Sequence, residues 1–363
     1  MPADATILIV DDSALVRQVL KRDLEARPGV TVIATAPDPF IAREKIRKFS
    51  PDLVVLDLEM PRMDGLTFLR KLMKYDPRSV VVCSSMTPRG CDLAMQCLEA
   101  GALEVVCKPG GSFSITDLGA QIADLARNAA RRGRLAARPA GPTTPTSSAS
   151  TVPPRCSPGA GAAGDRDDRN ARIIAIGAST GGTEAIRTVL STLPADTPPI
   201  LMVQHMPPGF TKAFSERLDR LSAIDVKEAE DGDELRPGLA LLAPGDRHLS
   251  LQRGSGGWRA RVQDGPRVKR HKPSVEVLFE SVAAHRGPDA IAALLTGMGD
   301  DGADGLLAIR EAGGTTIAQD EASCVVFGMP KVGIARGGAM HVLPLDDIGP
   351  AITRLAAGRA VAA

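Results

Sequence analysis

The stretch that most constrains the fold is an apolar run that leads directly into a serine among glycines, IIAIGASTGG at residues 173–182. Such a run is typical of a strand buried in a parallel sheet. The glycines predict a sharp turn, followed by a helix that starts near Gly182 and directs its backbone N–H groups back toward the turn. The stretch also contains the pattern G-x-S-x-G, which presents a nucleophilic serine, so Ser179 is a candidate nucleophile.

Length and composition predict two ordinary globular domains. The chain has 363 residues, too many for one usual core, and its content of hydrophobic residues (44%) is that of a folded protein. A net charge of +1 and an aromatic content of 3% argue against a nucleic-acid partner. The six cysteines form no C-x-x-C pair, which favours a reducing compartment. No apolar run is as long as a membrane span, so we expect a cytoplasmic protein without membrane insertion.

Short β-branched runs alternate with helical patterns in the first third of the chain. We predict strands at 6–10, 53–56, 80–83 and 103–107, and helices at about 13–26, 38–48, 65–74, 90–100 and 115–131. This alternation predicts an α/β fold in which helices cover both faces of a parallel sheet.

The middle of the chain is predicted to separate two domains. Residues 128–169 are rich in Pro, Gly, Ser, Thr, Ala and Arg, which is typical of a flexible linker. The alternation then resumes, with strands predicted at 172–176, 199–204, 239–243, 290–296 and 315–318. We therefore predict a first domain at 6–127 and a second α/β domain at 170–360.

Polar residues follow the predicted strands of the first domain. Asp11 and Asp12 come directly after one strand, and Asp57 ends another. Because the carboxyl ends of parallel strands meet at one edge of a sheet, three carboxylates would share a crevice there, and oxygen ligands of this kind suit Mg²⁺. Ser84 and Lys108 end two further strands, so they could hold the oxygens of a phosphoryl group on Asp57.

These residues, together with MPRMDG after Asp57 and the Lys-Pro pair at Lys108, resemble the receiver domain of two-component response regulators. The resemblance spans residues 6–127 and implies a flavodoxin-like fold with a parallel five-stranded sheet. It also implies that Asp57 accepts a phosphoryl group from a histidine kinase. Asp11, Asp12 and Asp57 would bind Mg²⁺, while Ser84 and Lys108 would couple phosphorylation to a change of surface.

A histidine and an acidic pair follow two strands of the second domain. By the same edge argument, Ser179, His205 and Asp301 can meet at one edge of the sheet. A base within hydrogen-bond reach would activate the serine, and an acid would orient that base. Their order along the chain, Ser–His–Asp, differs from the Ser–Asp–His order of α/β-hydrolases, so G-x-S-x-G does not indicate membership of that fold.

A different class of function fits part of the same domain. Gly297, Gly299 and Gly302 match the dinucleotide pattern G-x-G-x-x-G after a strand, with Asp320 further along. Two aspartates between these glycines lie where a pyrophosphate would approach, which argues against this function. No pair of histidines has the spacing of a metal site, so a zinc hydrolase is not expected.

Longer motifs carry a second resemblance. They are IGASTGG from Ile176, QHM from Gln204, APGDRH from Ala243, LTGMG from Leu295 and CVVFGMP from Cys324. Together with the receiver they are similar to the CheB family, the chemotaxis protein-glutamate methylesterases, which often also deamidate receptor glutamines. The similarity covers nearly all of the chain except the linker. It implies a doubly wound, mostly parallel α/β methylesterase domain after the flavodoxin-like receiver.

The resemblance also implies the roles of individual residues. Ser179 would be the nucleophile, His205 the general base and Asp301 its orienting acid, and the backbone N–H of Met298 would contribute to the oxyanion hole. Ester hydrolysis would need no cofactor. One departure is Asp300, where the family pattern has asparagine; this extra carboxylate could compete with Asp301 to orient His205.

The implied partners are methyl-accepting chemoreceptors as substrate and a histidine kinase of the CheA type as phosphodonor, for a monomeric protein. The receiver is expected to block the cleft at Ser179 until Asp57 is phosphorylated, which shifts the population toward an open form. The alternative from another class is a phosphorylation-regulated binding module with an inactive hydrolase domain. Such a module would keep its cellular effect after Ser179→Ala.

Overall fold

The computed structural model describes residues 4–84, 87–108, 115–136 and 172–360. The chain divides between residues 149 and 150 into two compact units. Most of the linker predicted at 128–169 lies outside the described residues, although the last helix of the first unit continues to Ala136, inside that range.

The first unit is a parallel sheet with helices between its strands. Its elements are β1 (Ala5–Val10), α1 (Ala14–Glu25), β2 (Val30–Ala36), α2 (Pro39–Phe49), β3 (Leu53–Asp57), α3 (Gly65–Tyr75), β4 (Val80–Ser84), α4 (Pro88–Glu99), β5 (Glu104–Cys107) and α5 (Ile115–Ala136). The strand order is β2-β1-β3-β4-β5, and each neighbouring pair is parallel. The predicted flavodoxin-like sheet of five parallel strands is confirmed. The order reverses between β1 and β3, so a crevice opens at their carboxyl ends.

Side-chain caps fix the starts of the helices close to the strand ends. Asp38, Asp64 and Thr87 accept hydrogen bonds from backbone N–H groups in the first turns of α2, α3 and α4. Ser13 does the same for α1 through the N–H of Val16. Such caps stop each helix from growing back into the connection before it. Asp11 and Asp12 after β1, and Asp57 at the end of β3, therefore stay at the sheet edge.

The second unit is built on a larger parallel sheet. Its elements are β6 (Ile173–Ala178), α6 (Gly182–Ser191), β7 (Ile200–Gln204), α7 (Phe210–Leu221), β8 (Asp225–Glu228), β9 (Leu239–Leu242), β10 (His248–Gly254), β11 (Gly257–Gln263), α8 (Val275–Arg286), β12 (Ala290–Leu294), α9 (Ala303–Glu311), β13 (Thr315–Gln319), α10 (Met329–Ala335), β14 (His341–Leu343) and α11 (Leu345–Ala356). The order β14-β13-β12-β6-β7-β9-β8 has parallel neighbours throughout, and β10 and β11 form a separate antiparallel pair. The predicted doubly wound, mostly parallel domain is confirmed.

The strand order of this sheet places a crevice at the end of β6. The chain leaves β6 for β7 on one side, and later returns to β12 on the other side. In open α/β sheets, ligands bind at such a switch point, outside the carboxyl ends of the strands. The serine motif follows β6 directly, so this topology alone assigns it to that crevice.

One face of the sheet packs on α8 through a close approach at Gly177. A Cβ at Gly177 would lie 2.2 Å from Cγ1 of Val275, the first residue of α8, which is closer than real contacts allow. The glycine thus lets α8 begin against the end of β6. Phe279 and Val282 of the same helix are fully buried in the core of this face.

Five strands of the structure, β2, β8, β10, β11 and β14, were not among those predicted. β2, β8 and β14 are edge strands with exposed positions, so their sequences lack a buried, continuous apolar run. The hairpin of β10 and β11 alternates polar and apolar residues and ends in arginine- and glycine-rich sequence. Among the described helices, none is both long and apolar enough to cross a membrane.

We predict that Gly177→Ala lowers the free energy of unfolding of the second unit by about 1–3 kcal/mol, because the new methyl group overlaps Val275. Urea unfolding followed by the fluorescence of Trp258, the one tryptophan of the chain, would measure it. Gly256→Ala is the matched control, since nothing lies within 4 Å of its added Cβ, and it should change stability by less than about 0.5 kcal/mol. Equal effects of the two variants would contradict the packing argument.

Candidate active site

Ser179 lies at the end of β6 and is held by backbone contacts on both sides. Its N–H donates to the carbonyl of Thr296 after β12, at 3.0 Å. Its carbonyl accepts from the N–H of Gly182, at 2.7 Å, and from Nε2 of Gln204, at 2.8 Å. The helix α6 begins at Gly182, as the sequence predicted. The serine is therefore fixed between the two strands that flank the switch point, with 7% of its surface exposed.

His205 follows β7, next to Ser179, and pairs with a buried carboxylate. Its backbone N–H donates to the carbonyl of Ala178, at 3.1 Å. Its ring Nε2 lies 2.6 Å from Oδ2 of Asp301. A carboxylate can only accept, so the ring carries its proton on Nε2 and its lone pair on Nδ1. Nδ1 is buried and has no hydrogen-bond partner within the described residues. The basic nitrogen is thus Nδ1.

Asp301 caps the start of α8 as well as orienting His205. Its Oδ1 accepts from Ser274 Oγ at 2.7 Å and from the N–H of Glu276 at 3.0 Å, and its Oδ2 accepts from the N–H of Val275 at 2.7 Å. Burial acts to raise the pKa of Asp301, but the hydrogen bond and charge of His205, with the Ser274 and Val275 donors, leave the pKa below its ordinary value. Asp301 therefore stays ionised beside the histidine.

The turn after β12 orients the peptide group before Met298. The carbonyl of Gly297 accepts from the N–H groups of Gly328, at 3.1 Å, and Met329, at 2.8 Å. In a trans peptide the N–H points opposite to the carbonyl, so the N–H of Met298 points away from these donors. No described residue accepts from that N–H. A Cβ at Gly297 would lie 2.7 Å from Cβ of Ser179, which shows how closely this turn approaches the serine.

Asp300 does not compete with Asp301 for His205. Its carboxylate lies 3.6 Å from Nζ of Lys269 and 3.4 Å from Nη2 of Arg336. Both cations also pair with Asp304. The extra charge beside the candidate triad is therefore neutralised outside it, and only Asp301 contacts the imidazole.

The glycines that match a dinucleotide pattern have packing roles. A Cβ at Gly302, where φ is +83°, would lie 2.4 Å from Cγ1 of Val275. The carboxylate of Asp301, between these glycines, is hydrogen-bonded to His205 and to the start of α8. This segment thus serves the serine site, and its geometry gives no support to nucleotide binding.

A second cluster lies in the first unit, at the crevice between β1 and β3. Nζ of Lys108 lies 2.7 Å from Oδ2 of Asp57 and 3.5 Å from Oδ2 of Asp11. Asp11 and Asp57 are buried and Asp12 is exposed. Burial, together with the charge of Asp11, raises the pKa of Asp57 despite the hydrogen bond and charge of Lys108, which act to lower it. For Lys108, burial lowers the pKa, but the bond to Asp57 and the charges of Asp57 and Asp11 leave it raised.

The three aspartates have the chemistry of a Mg²⁺ site. Each offers one carboxylate oxygen, and these atoms lie within 4.8 Å of one another. Hard oxygen ligands and an exposed side, which leaves room for water, are what Mg²⁺ prefers. Ser84 stands at the end of β4, where its hydroxyl donates to the carbonyl of Gly90 at 2.9 Å. The structure thus brings Asp11, Asp12, Asp57 and Lys108 together.

Several residues that build the serine site were not assigned roles from the sequence. Ser274 bonds Asp301, and Val326 bonds Thr296. His271 stacks on the ring of His205, with ring centroids 3.7 Å apart and 9° between their planes. The loop before α8 shows no apolar period, so only its histidine and proline could have drawn attention to it. The sequence allowed the motif CVVFGMP to be matched to a family. It did not show that the N–H groups of this motif would bond the carbonyl of Gly297.

Family models match both units of the chain. A CheB methylesterase model matches residues 174–352, and a response regulator receiver domain model matches residues 7–118. The two matches together span most of the described residues, and each falls within one compact unit.

Relatives that are similar over 98% of this chain have the same two activities in their names. A protein-glutamate methylesterase/protein-glutamine glutaminase of Anaeromyxobacter dehalogenans is 48% identical over 359 residues, 96% of its length. One of Salmonella typhimurium is 47% identical over 359 residues, 98% of its length. Among solved structures, the CheB methylesterase catalytic domain of Thermotoga maritima is 42% identical, with a TM-score of 0.50 over 51% of this chain and 98% of that one.

One buried carboxyl beside the site gives a pH-dependent stability. Glu276 is 2% exposed, and burial, with the charges of Asp304 and Asp301, raises its pKa to about 7 despite a hydrogen bond from the N–H of Gly302. The ordinary value is 4.5, so between pH 4.5 and 7 the folded protein holds a proton that the unfolded chain has lost. Stability falls with rising pH across this window.

We predict that the stability of the wild type relative to Glu276→Gln falls by up to about 3 kcal/mol between pH 4.5 and 8, because the glutamine cannot ionise. Urea unfolding followed by Trp258 fluorescence at a series of pH values would measure it. Glu216→Gln, on an exposed position of α7, is the control and should show no such slope relative to wild type. A pH-independent difference between wild type and Glu276→Gln would refute the prediction.

Proposed function

The chain belongs to the CheB family of protein-glutamate methylesterases, and on this premise we propose that Ser179, His205 and Asp301 are its catalytic triad. The protein is a phosphorylation-regulated methylesterase and glutaminase, as its two family domains and its relatives show. The observation that carries the residue assignment is the set of hydrogen bonds on Asp301. It fixes the tautomer of His205 and leaves Nδ1 as the base.

In the proposed reaction, Oγ of Ser179 attacks the γ-carbonyl carbon of a methylated glutamate, and Nδ1 of His205 takes the hydroxyl proton. The negative oxygen of the tetrahedral intermediate accepts a hydrogen bond from the N–H of Met298. When the intermediate collapses, the carbon–oxygen bond to the methoxy group breaks and the proton on His205 leaves with methanol. Asp301 stabilises the imidazolium throughout, without itself taking the proton.

Water completes the cycle. His205 removes a proton from a water molecule as its oxygen attacks the acyl group on Ser179, and returns that proton to Oγ when the acyl bond breaks. The product is a glutamate side chain. A glutamine side chain follows the same path, with ammonia leaving in place of methanol, which accounts for both activities at one site.

In the first unit we propose Asp57 as the phosphoryl acceptor and a kinase of the CheA type as the donor. The proposed ligands of Mg²⁺ are Asp11, Asp12 and Asp57, and the ion would supply positive charge next to the phosphoryl oxygens. Lys108, already paired with Asp57, would hold a phosphoryl oxygen in its place. Ser84, at the end of the neighbouring strand, would hold another and so sense phosphorylation.

The proposed substrate is a methyl-accepting chemoreceptor. We propose that the protein acts on it as a monomer in the cytoplasm, where the kinase transfers phosphoryl groups that derive from ATP. The crevice at the switch point supports a substrate side chain that enters from solvent, because Ser179 and Met298 lie at its edge and Met298 is 37% exposed.

The first test is methanol release from membranes with methyl-labelled chemoreceptors, with and without acetyl phosphate and Mg²⁺. We expect the wild type to release methanol faster with the phosphodonor. Ser179→Ala should lose about 10³-fold or more of the activity, since the nucleophile is gone. Asp57→Asn should keep the basal rate and lose the stimulation. The exposed Ser255→Ala is the matched control and should behave as wild type. Unchanged release by Ser179→Ala would exclude the proposed nucleophile.

A second test separates the neighbouring aspartates. Asp301→Asn should lower kcat about 10⁴-fold, because an amide in this place no longer holds the required tautomer of His205. Asp300→Asn restores the residue of the family pattern and should stay within about threefold of wild type, because Asp300 contacts only partly exposed cations. The same assay measures both variants, and a larger loss for Asp300→Asn would reverse the assignment.

A further inference from the structure

A tight turn before α8 carries a histidine ring to the active site. Val268 and His271 exchange backbone hydrogen bonds of 3.0 and 2.9 Å, with two residues between them. Those two, Lys269 and Arg270, have φ values of 49° and 72°. Two central residues with positive φ define a type I′ turn, which usually has glycine or asparagine there. Lysine and arginine hold this conformation only where surrounding contacts favour it.

Ion pairs tie this turn to the loop that contains Asp301. Nζ of Lys269 lies 2.9 Å from Oδ2 of Asp304 and 3.6 Å from Oδ2 of Asp300. Arg336 also pairs with these two carboxylates. The backbone N–H of Val275, four residues after the turn, bonds Asp301 itself. The turn and the orienting aspartate thus hold a fixed position relative to each other.

The flat face of the His271 ring contacts the flat face of the His205 ring. It lies parallel to the ring of His205, with centroids 3.7 Å apart. No hydrogen bond joins the His271 ring to another residue in the described part of the chain. Its contact with the site is therefore one of packing. The edge of His205 is held by Asp301 and its face is covered by His271.

We propose that His271 is a positioning residue for the general base: it keeps the His205 ring in the plane where Nε2 meets Asp301 and Nδ1 is free for Ser179. It also covers one face of that ring against water. This inference rests on the triad proposed above. A ring held only by a single hydrogen bond could rotate about it, and small displacements of a reacting group cost large factors in rate.

The surroundings of His271 suit a neutral ring. Burial, together with the charges of His205, Arg270 and Arg267, lowers the pKa of His271 to about 3 against the opposing charge of Asp301. The ring therefore stays uncharged when His205 accepts the proton of Ser179. The face of a neutral aromatic ring attracts a cation, whereas a second imidazolium would repel it.

The test compares His271→Ala with His271→Phe in the full-length chain, by methanol release in the presence of acetyl phosphate and Mg²⁺. We expect His271→Ala to lower kcat about ten- to hundredfold with KM changed less than about twofold. His271→Phe keeps a flat uncharged ring and should restore kcat to within about threefold of wild type. His285→Ala removes an exposed ring that packs on Trp258, and should have no effect.

An NMR measurement distinguishes positioning from a merely structural role. In protein labelled with ¹⁵N-histidine, the Nε2 proton of His205 should give a slowly exchanging signal in wild type and in His271→Phe. In His271→Ala the signal should broaden by exchange with water, while cooperative urea unfolding followed by Trp258 fluorescence shows that the second unit is still folded.

Three results would overturn the inference: a His271→Phe variant as slow as His271→Ala, a loss confined to KM, or an Nε2 signal that is unchanged in His271→Ala. Ser179→Ala is run in parallel. If it retains wild-type activity, the triad itself is wrong; if it is inactive while His271→Ala matches wild type, only the role of His271 fails.

Discussion

The second unit depends on one buried charge, the carboxylate of Asp301. A carboxylate removed from water is costly unless every oxygen finds donors, and Asp301 has four: one imidazole, one hydroxyl and two backbone N–H groups. The N–H groups belong to the first turn of α8, where the helix dipole also favours a negative charge. Satisfying this charge therefore fixes the start of α8, the ring of His205 and the loop after β12 together. The glycines at 177 and 302 permit this by making room for Val275 between them.

The positions of the site residues could be predicted from the sequence because they follow strands. Ser179, His205 and Asp301 each come after a strand with a clear apolar run, and the topology of a parallel sheet then brings them to one edge. The same holds for Asp11 and Asp57. The contacts that orient His205 and Asp301 could not be predicted, because His271 and Ser274 lie in a loop without apolar periodicity. Its turn has Lys269 and Arg270 where turn chemistry favours glycine or asparagine, so the sequence signal for the turn is missing.

Asp57 and Asp301 show how the number of hydrogen-bond donors determines the role that suits a buried carboxylate. Each is 1% exposed and follows a strand of a parallel sheet. Asp301 has four donors, its pKa lies below the ordinary value, and its oxygens are fully engaged. Among the described residues, the donors to Asp57 are Lys108 and the N–H of Glu59, and its pKa is raised, chiefly by burial. A carboxylate with unused acceptor capacity next to a cation suits the proposed role of Asp57 as phosphoryl acceptor. A carboxylate with four donors holds its partners still, which suits the proposed role of Asp301 as the acid that orients His205.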